Sequence, residues 1–388
     1  MGFLAASASV CYFQVIGSFN RNEQLPEILQ QLRNEGFRSI EQSAEELSTG
    51  WVELDDYESS SFASEQSCLR DRQLCFSLRQ DRRRIPAALL KRQIALLNDK
   101  YLAENPNYNR VPKAEREQIR DTARSLLLTR SLPAPTCYDI VWNTEQQLLR
   151  FCSLNQKTID SFQGLFHQTF PGLRLHLLHP MARAELLLEK ELQTRLQQAD
   201  QSQTDSALEQ VEANLWLGSD FLRWLMYRTL NSDSRYSINC PGPLLEKQPF
   251  SAYLDNRLVL SGGGQEGAQK ITVAGPQDRF SEVHTALAQQ KEIDEATLHL
   301  QLDEELSWKL TLKGDRFQFG SFRTPMVRLE NDPEDDPAVA AEAAFFTKLG
   351  AVEEGEQMFN SLLKTFLKLR LGDDWTTEAN AIAAWLAE

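Results

Sequence analysis

Residues 70–130 constrain this chain most. They carry fifteen Lys and Arg against seven Asp and Glu, a net charge of +8, in a chain whose total is −14. Such a block is either an anion-binding surface or a counterweight to acidic neighbours. Its local signals are helical. Pro86 and Pro112 each stand at the first turn of an apolar-periodic run, where the fixed φ of proline is tolerated. Between the runs, residues 105–109 (NPNYN) break the chain. The pattern predicts helices over 86–102 and 113–128. Together they make a helical hairpin, with Arg82, Arg83 and Arg84 leading into it after a turn at 81–84.

The rest of the chain reads as an α+β protein. At 388 residues it has length for two or three domains. No apolar run approaches the roughly 18–20 residues that span a bilayer. The N-terminus is apolar but lacks a basic region, and 9–19 is rich in β-branched and aromatic residues, so a strand is expected there rather than a signal peptide. The six Cys are scattered without a CxxC pair, which suggests neither a zinc site nor a disulfide framework and fits a reducing cytoplasm.

Further strands are expected at 50–54, 73–79, 138–142, 148–154 and 173–178, and helices at 23–35 and 156–169. A Gln-, Glu- and Ser-rich stretch then marks a boundary. Beyond it stand an apolar helix at 214–230, strands at 251–255, 257–261, 270–274, 296–302, 308–313 and 316–319, and a helix at 280–290. A long helix at 338–370 and a short one at 375–386 close the chain. The expected organisation is a basic domain over 1–183, a connector over 184–212, an α+β domain over 213–330 and an acidic helical tail over 331–388. In short, the fold expected is α+β, with mixed sheets, a protruding helical hairpin and a helical C-terminal tail. In the long helix Phe345, Leu349, Val352, Phe359, Leu363 and Phe366 recur at steps of about three and four. They suit an amphipathic helix packed on its own domain, with a coiled-coil seam as the other option.

Catalytic motifs are sparse. Residues 262–267 (GGGQEG) fit G-x-G-x-x-G, but 270–273 read as a strand where a dinucleotide site needs a helix, so a glycine-rich hairpin turn is expected. His176 and His179 have no carboxylate or Cys partner at ligand spacing. There is no Walker A, G-x-S-x-G or H-E-x-x-H. No catalytic residue, metal or cofactor is expected. On the second hairpin helix Lys113, Arg116, Arg120 and Arg124 line one face, with Arg130 just beyond. Either they contact phosphate, or they pair with Glu117 and Asp121 as a solvated surface.

An ordered series of short pieces runs from Gly50 to Pro180. Gly50-Trp51-Val52 is followed by Cys75-Phe76-Ser77-Leu78, then by Arg84-Ile85-Pro86 and Ala87-Ala88-Leu89-Leu90-Lys91. Next come Lys113-Ala114-Glu115-Arg116 and Ser125-Leu126-Leu127, and then Trp142, Leu148 to Cys152, and Lys157. The series resembles the bacterial recombination-associated RdgC family, and Phe221-Leu222-Arg223-Trp224-Leu225 also looks like a family element. The resemblance implies a cytoplasmic, nucleoid-associated protein that binds duplex DNA without marked sequence preference. It further implies a homodimer, ring-shaped with a basic hole, that restrains the RecA recombinase and has no established catalytic activity. The family is sometimes labelled an exonuclease.

On this reading the candidate DNA contacts are Arg70, Arg72, Arg79, Arg82, Arg83, Arg84, Lys91, Arg92, Lys113, Arg116, Arg120, Arg124 and Arg130. Leu132 stands near the family's aromatic dimer contact. The acidic tail, at net charge −8, is expected to oppose DNA binding. The alternatives are a protein-interaction module whose basic block pairs with acidic surfaces, and a nuclease built from carboxylates that converge in the fold.

Overall fold

In a computed structural model of the protein, all residues are described except 1, 20, 44, 205, 265–266, 276–279, 327–335 and 388. The chain runs β1 (Ala8–Ile16), α1 (Arg21–Asn34), β2 (Leu47–Glu53), β3 (Leu69–Arg70), β4 (Gln73–Arg82), α2 (Ala87–Glu104), α3 (Lys113–Arg130), β5 (Ala134–Asn143), β6 (Leu148–Phe151), α4 (Gln156–Thr169) and β7 (Arg174–Leu177). It continues α5 (Pro180–Leu187), α6 (Lys190–Ala199), α7 (Ala207–Ala213), α8 (Leu215–Asn231), β8 (Arg235–Ser237), β9 (Pro249–Gly264), β10 (Gly267–Ala274) and α9 (Ser281–Ala288). It ends β11 (Glu292–Gln301), β12 (Ser307–Lys313), β13 (Gln318–Arg323), α10 (Pro337–Arg370) and α11 (Trp375–Leu386).

The chain folds as α+β, in two compact units. The hairpin unit comprises Gly17–Gln147 and Asp160–Arg174, and the C-terminal unit Met1–Ile16, Leu148–Ile159 and Leu175–Glu388. This grouping differs from the four consecutive segments expected from composition. The reason is strand pairing across long sequence separations: β1 pairs with β13 on one side and β6 on the other. Register of that kind leaves no trace in local composition. The ladders β2–β4–β5 in one unit and β10–β9–β11–β12–β13–β1–β6 in the other run antiparallel, and an isolated parallel bridge joins Gly36 to Trp51.

In the hairpin unit β4 lies between β2 and β5, with Leu78 opposite both Trp51 and Tyr138. An aromatic core of Trp51, Phe76, Trp142, Phe162, Phe166 and Phe170 fills the unit. The Trp51 indole donates to Thr169 Oγ1 at 2.7 Å, so its one polar atom is satisfied inside that core. Gly50 is required by close approach, since a Cβ there would lie 2.4 Å from the Phe37 Cα. The helices α2 and α3 form where the proline-led periodicity places them. No residue of α2 is buried, and in α3 only Ala123 and Leu128 are.

In the C-terminal unit the strands run β10-β9-β11-β12-β13-β1-β6, with β8 on β9 and β7 on β1. The two strands expected over 251–261 are one long strand, β9, which absorbs an irregularity at Asn256, where φ is +66°. Gly262, Gly263 and Gly264 pair with Gln269, Ala268 and Gly267 in the β9–β10 ladder, so a strand and not a helix follows the glycine run, and 265–266 lie outside the described residues.

The acidic tail is no appendage. Of the expected 331–388 segment, residues 331–335 and 388 lie outside the described residues. From Asp336, whose carboxylate caps Ala338 N at 3.0 Å, the chain enters α10. The Phe345, Leu349, Val352, Phe359, Leu363 and Phe366 stripe is buried within the unit. Glu356, which interrupts the stripe, takes both Arg150 Nε (2.8 Å) and Nη2 (2.7 Å), a bidentate buried pair. Asn360 accepts from Arg183 at 2.8 Å, and the Arg183 guanidinium lies 4.7 Å over the Tyr12 ring.

Candidate nucleic-acid interface

The hairpin unit gathers the basic block, and the backbone sorts its cations. β4 does not turn at 81–84. It continues in register to Arg82, which pairs with Leu47 and Ala134 on its two sides. Successive strand residues alternate faces. Arg79, Asp81 and Arg83 therefore point inward together, and Arg82 and Arg84 point out to solvent.

Arg79 and Arg83 thus leave the set of expected phosphate contacts. Arg79 clasps Asp81 through Nε (2.8 Å) and Nη2 (3.0 Å), meets Glu58 at 2.7 Å and lies 4.3 Å over the Phe37 ring. The Asp81 hydrogen bonds raise its pKa against the pull of burial. Arg83 is 2% exposed. It donates to the carbonyls of Leu128, Ile40 (2.6 Å) and Glu41 (3.0 Å). Arginine is suited to this work, because its fork satisfies several carbonyls at once, including one at the exposed C-terminal turn of α3.

Three further cations are engaged by carboxylates. Arg70 pairs with Asp55, Arg72 with Glu145 at 2.9 Å, and Arg124 with Glu46. The other eight, Arg82, Arg84, Lys91, Arg92, Lys113, Arg116, Arg120 and Arg130, are exposed, and none makes an ion pair among the described residues. The pairs expected of a merely solvated helix, Lys113 or Arg120 with Glu117 and Arg124 with Asp121, do not form. Within the hairpin the described i,i+4 pair is Lys100 with Glu104, on α2. Exposed Arg110, in the turn between the helices, extends the set. The helical spacing missed it because it lies on neither helix, although the charge count of 70–130 includes it.

Arg82, Arg84 and Arg124 line a cavity of about 380 Å³ with Glu46, Ile85, Leu90 and Arg83, whose guanidinium is already engaged by the carbonyls named above. Arg82 and Arg84 are unpaired among the described residues, and Arg124 shares its charge with Glu46. The arrangement concentrates positive charge around the cavity, and among the described residues its lining holds no Ser, Cys or His. Among the described residues no three His, Cys, Asp or Glu side chains group so as to hold a metal ion. His179, 1% exposed, donates or accepts at Gln210 (3.1 Å), and burial holds its pKa down at about 4. Burial likewise pushes the Cys68 thiol up to about 12 and that of Cys137 to about 11, and none of the six cysteines is in a disulfide.

The hairpin also exposes apolar surface. Leu89 and Leu96, two turns apart on α2, are 48% and 53% exposed, and Leu132 beyond α3 is 85% exposed. Among the described residues no helix is long and apolar enough to cross a membrane.

A family model described as "Putative exonuclease, RdgC" matches residues 11–215. That is more than half of the chain, and the protein belongs to the RdgC family. The match covers the whole basic block and stops short of Phe221–Leu225, which the resemblance had included. No curated protein matches the chain.

Proposed function

We propose that the protein binds duplex DNA without sequence preference, through the exposed cations of its hairpin unit, and that it does so in recombination control on the nucleoid. One observation carries this reading: eight exposed Lys and Arg stand unpaired, six of them on α2 and α3, although carboxylates are available on those same helices. Charges left unneutralised within a fold are free for phosphate, and each contact releases counterions. The cavity beside Arg82 and Arg84 gives the phosphate path a fixed point. Family membership supports a role on nucleic acid, and the resemblance adds the RecA recombinase as the regulated partner.

The same reading takes the protein as a DNA-binding member of its family, on the ground that the exposed charged groups of the 70–130 block are predominantly cations. It also assigns the exposed leucines of α2, Leu89 and Leu96, and separately Leu132 beyond α3, to contacts with a second copy of the chain, because exposed leucines beside charged residues suit burial in a homodimer.

Anisotropy of a labelled duplex titrated with protein at several salt concentrations tests the proposal. Log affinity should fall steeply with log salt, by about 0.9 per phosphate neutralised. Equal affinity at low and high salt refutes it, and so does preference for an acidic protein competitor over DNA. Mg²⁺-dependent shortening of the duplex would replace the binding role with a nuclease.

A further inference from the structure

The C-terminal unit presents a second surface that the hairpin reading does not use. Strand register places four side chains from four neighbouring strands in one row. Tyr253 on β9 is opposite His299 on β11, His299 is opposite Lys309 on β12, and Lys309 is opposite Arg323 on β13. With strands about 4.8 Å apart, the row spans roughly 14 Å. The inward residues of the same strands, Leu254, Leu298, Leu300, Leu310 and Leu312, are fully buried. The row lies on the other face, with Tyr253, His299 and Lys309 half-buried and Arg323 exposed.

Three features of the row point to one ligand. The Tyr253 and His299 rings stack, 5.1 Å between centroids and 8° apart, so a flat aromatic step stands at one end. At the other end Lys309 and Arg323 are cross-strand neighbours of like charge, an arrangement that costs stability. Among the described residues neither forms an ion pair. The flanking positions are small and polar: Ser251, Gln301 and Ser307 on one side, Thr297, Thr311 and Gly320 on the other. Ser251, Gln301 and Ser307 supply hydrogen-bonding groups on the first side, whereas on the other Thr297 is buried and Leu154 lies against Gly320. Asp255, two residues beyond Tyr253, sits at the aromatic end, so the anion path runs toward Lys309 and Arg323.

We propose that this row is a platform for single-stranded nucleic acid, with an unpaired base stacked at the Tyr253–His299 step and phosphates held by Lys309 and Arg323. A stacked base needs a π-face and a phosphate needs a cation, and the row offers both within the reach of a few nucleotides. Duplex DNA has no free base face to give the step. The platform lies outside the family-matched residues and extends the nucleic-acid reading without needing the hairpin contact.

The full-length protein should be titrated with labelled oligothymidylate and, separately, with duplex. Lys309→Ala with Arg323→Ala should weaken oligothymidylate binding about tenfold or more and duplex binding less than about twofold. Tyr253→Phe should retain single-strand affinity and Tyr253→Ser lose several-fold. Photo-cross-links from 5-iododeoxyuridine should map to Tyr253 or His299. If Tyr253→Ser fails to fold, the double variant at solvent-facing positions decides alone. Unchanged oligothymidylate affinity in that variant overturns the proposal. Cross-links confined to the hairpin unit overturn it too, as does a glutamate-rich peptide that outcompetes the strand. Arg82→Ala with Arg84→Ala separates the two readings, because it should weaken duplex binding and leave these cross-links in place.

Discussion

The hairpin helices and α10 differ in almost every physical respect. Helices α2 and α3 are 18 residues each, and between them bury two side chains. Helix α10 is 34 residues and buries Phe345, Val352, Phe359, Leu363 and Phe366 at the heart of its unit. The hairpin carries unpaired positive charge on the outside, whereas α10 carries charge on the inside, neutralised by Arg150. The lesson is that net charge does not reveal a helix's task. The acidic segment is a structural element whose key carboxylate is turned inward. The basic segment contributes little burial and keeps its charge available.

Substitutions at the two places should therefore behave in opposite ways, and four expectations run from the largest stability effect to the smallest. Phe359→Ala or Arg150→Ala should each cost about 3–5 kcal/mol, the first by a cavity and the second by stranding Glu356 without its partner. Urea denaturation of the full chain measures both, and a loss below 1 kcal/mol would mean that α10 is peripheral after all. Removal of the whole tail, expected from charge to tighten DNA binding, should instead expose this core.

The second concerns acid. The folded-state pKa of His179, about 4, lies below its ordinary value, so folding favours the neutral ring. Its stability contribution is full above about pH 6.5, declines as pH falls, and is lost by about pH 4, a change of about 3 kcal/mol at most. The cause is local: burial of the ring, whose Nδ1 is unpartnered, disfavours the charged form first, and neighbouring His176 adds to it. A His179→Gln variant should flatten the pH dependence of the urea midpoint between pH 6.5 and 4. An unchanged profile would place the acid sensitivity elsewhere.

Third, Leu96→Ala on α2 should cost no more than about 0.5 kcal/mol in the isolated chain. A larger, concentration-dependent loss of melting temperature would show that a second copy covers this face. The smallest stability effect is expected for Arg82, Arg84, Arg116 and Arg120 changed together to Ala. The melting temperature should barely move, while duplex affinity falls for all sequences alike and its salt slope flattens. A destabilised variant would mean that these cations pair within the fold, and the contrast with α10 would then collapse.

Much of the secondary structure is local in origin and was legible for that reason. Proline at the first turn, apolar residues every three or four positions and the break at 105–109 define α2 and α3. The limits of α4 and α11 follow from the same kind of short-range signal. Helix packing on a single apolar stripe made the α10 core positions readable too. What the chain alone could not show is which charges face where. Arg79, Arg82, Arg83 and Arg84 are equivalent as letters, and only the continuation of β4 to Arg82 puts two of them inside and two outside. Glu356 reads as a flaw in an apolar stripe until the fold brings Arg150, more than two hundred residues away, against it. The Tyr253–His299–Lys309–Arg323 row is likewise spread over seventy residues and exists only through cross-strand register. Periodicity acts over a few residues and is written in the sequence, whereas strand register and charge pairing join distant segments and arise only when the chain is folded.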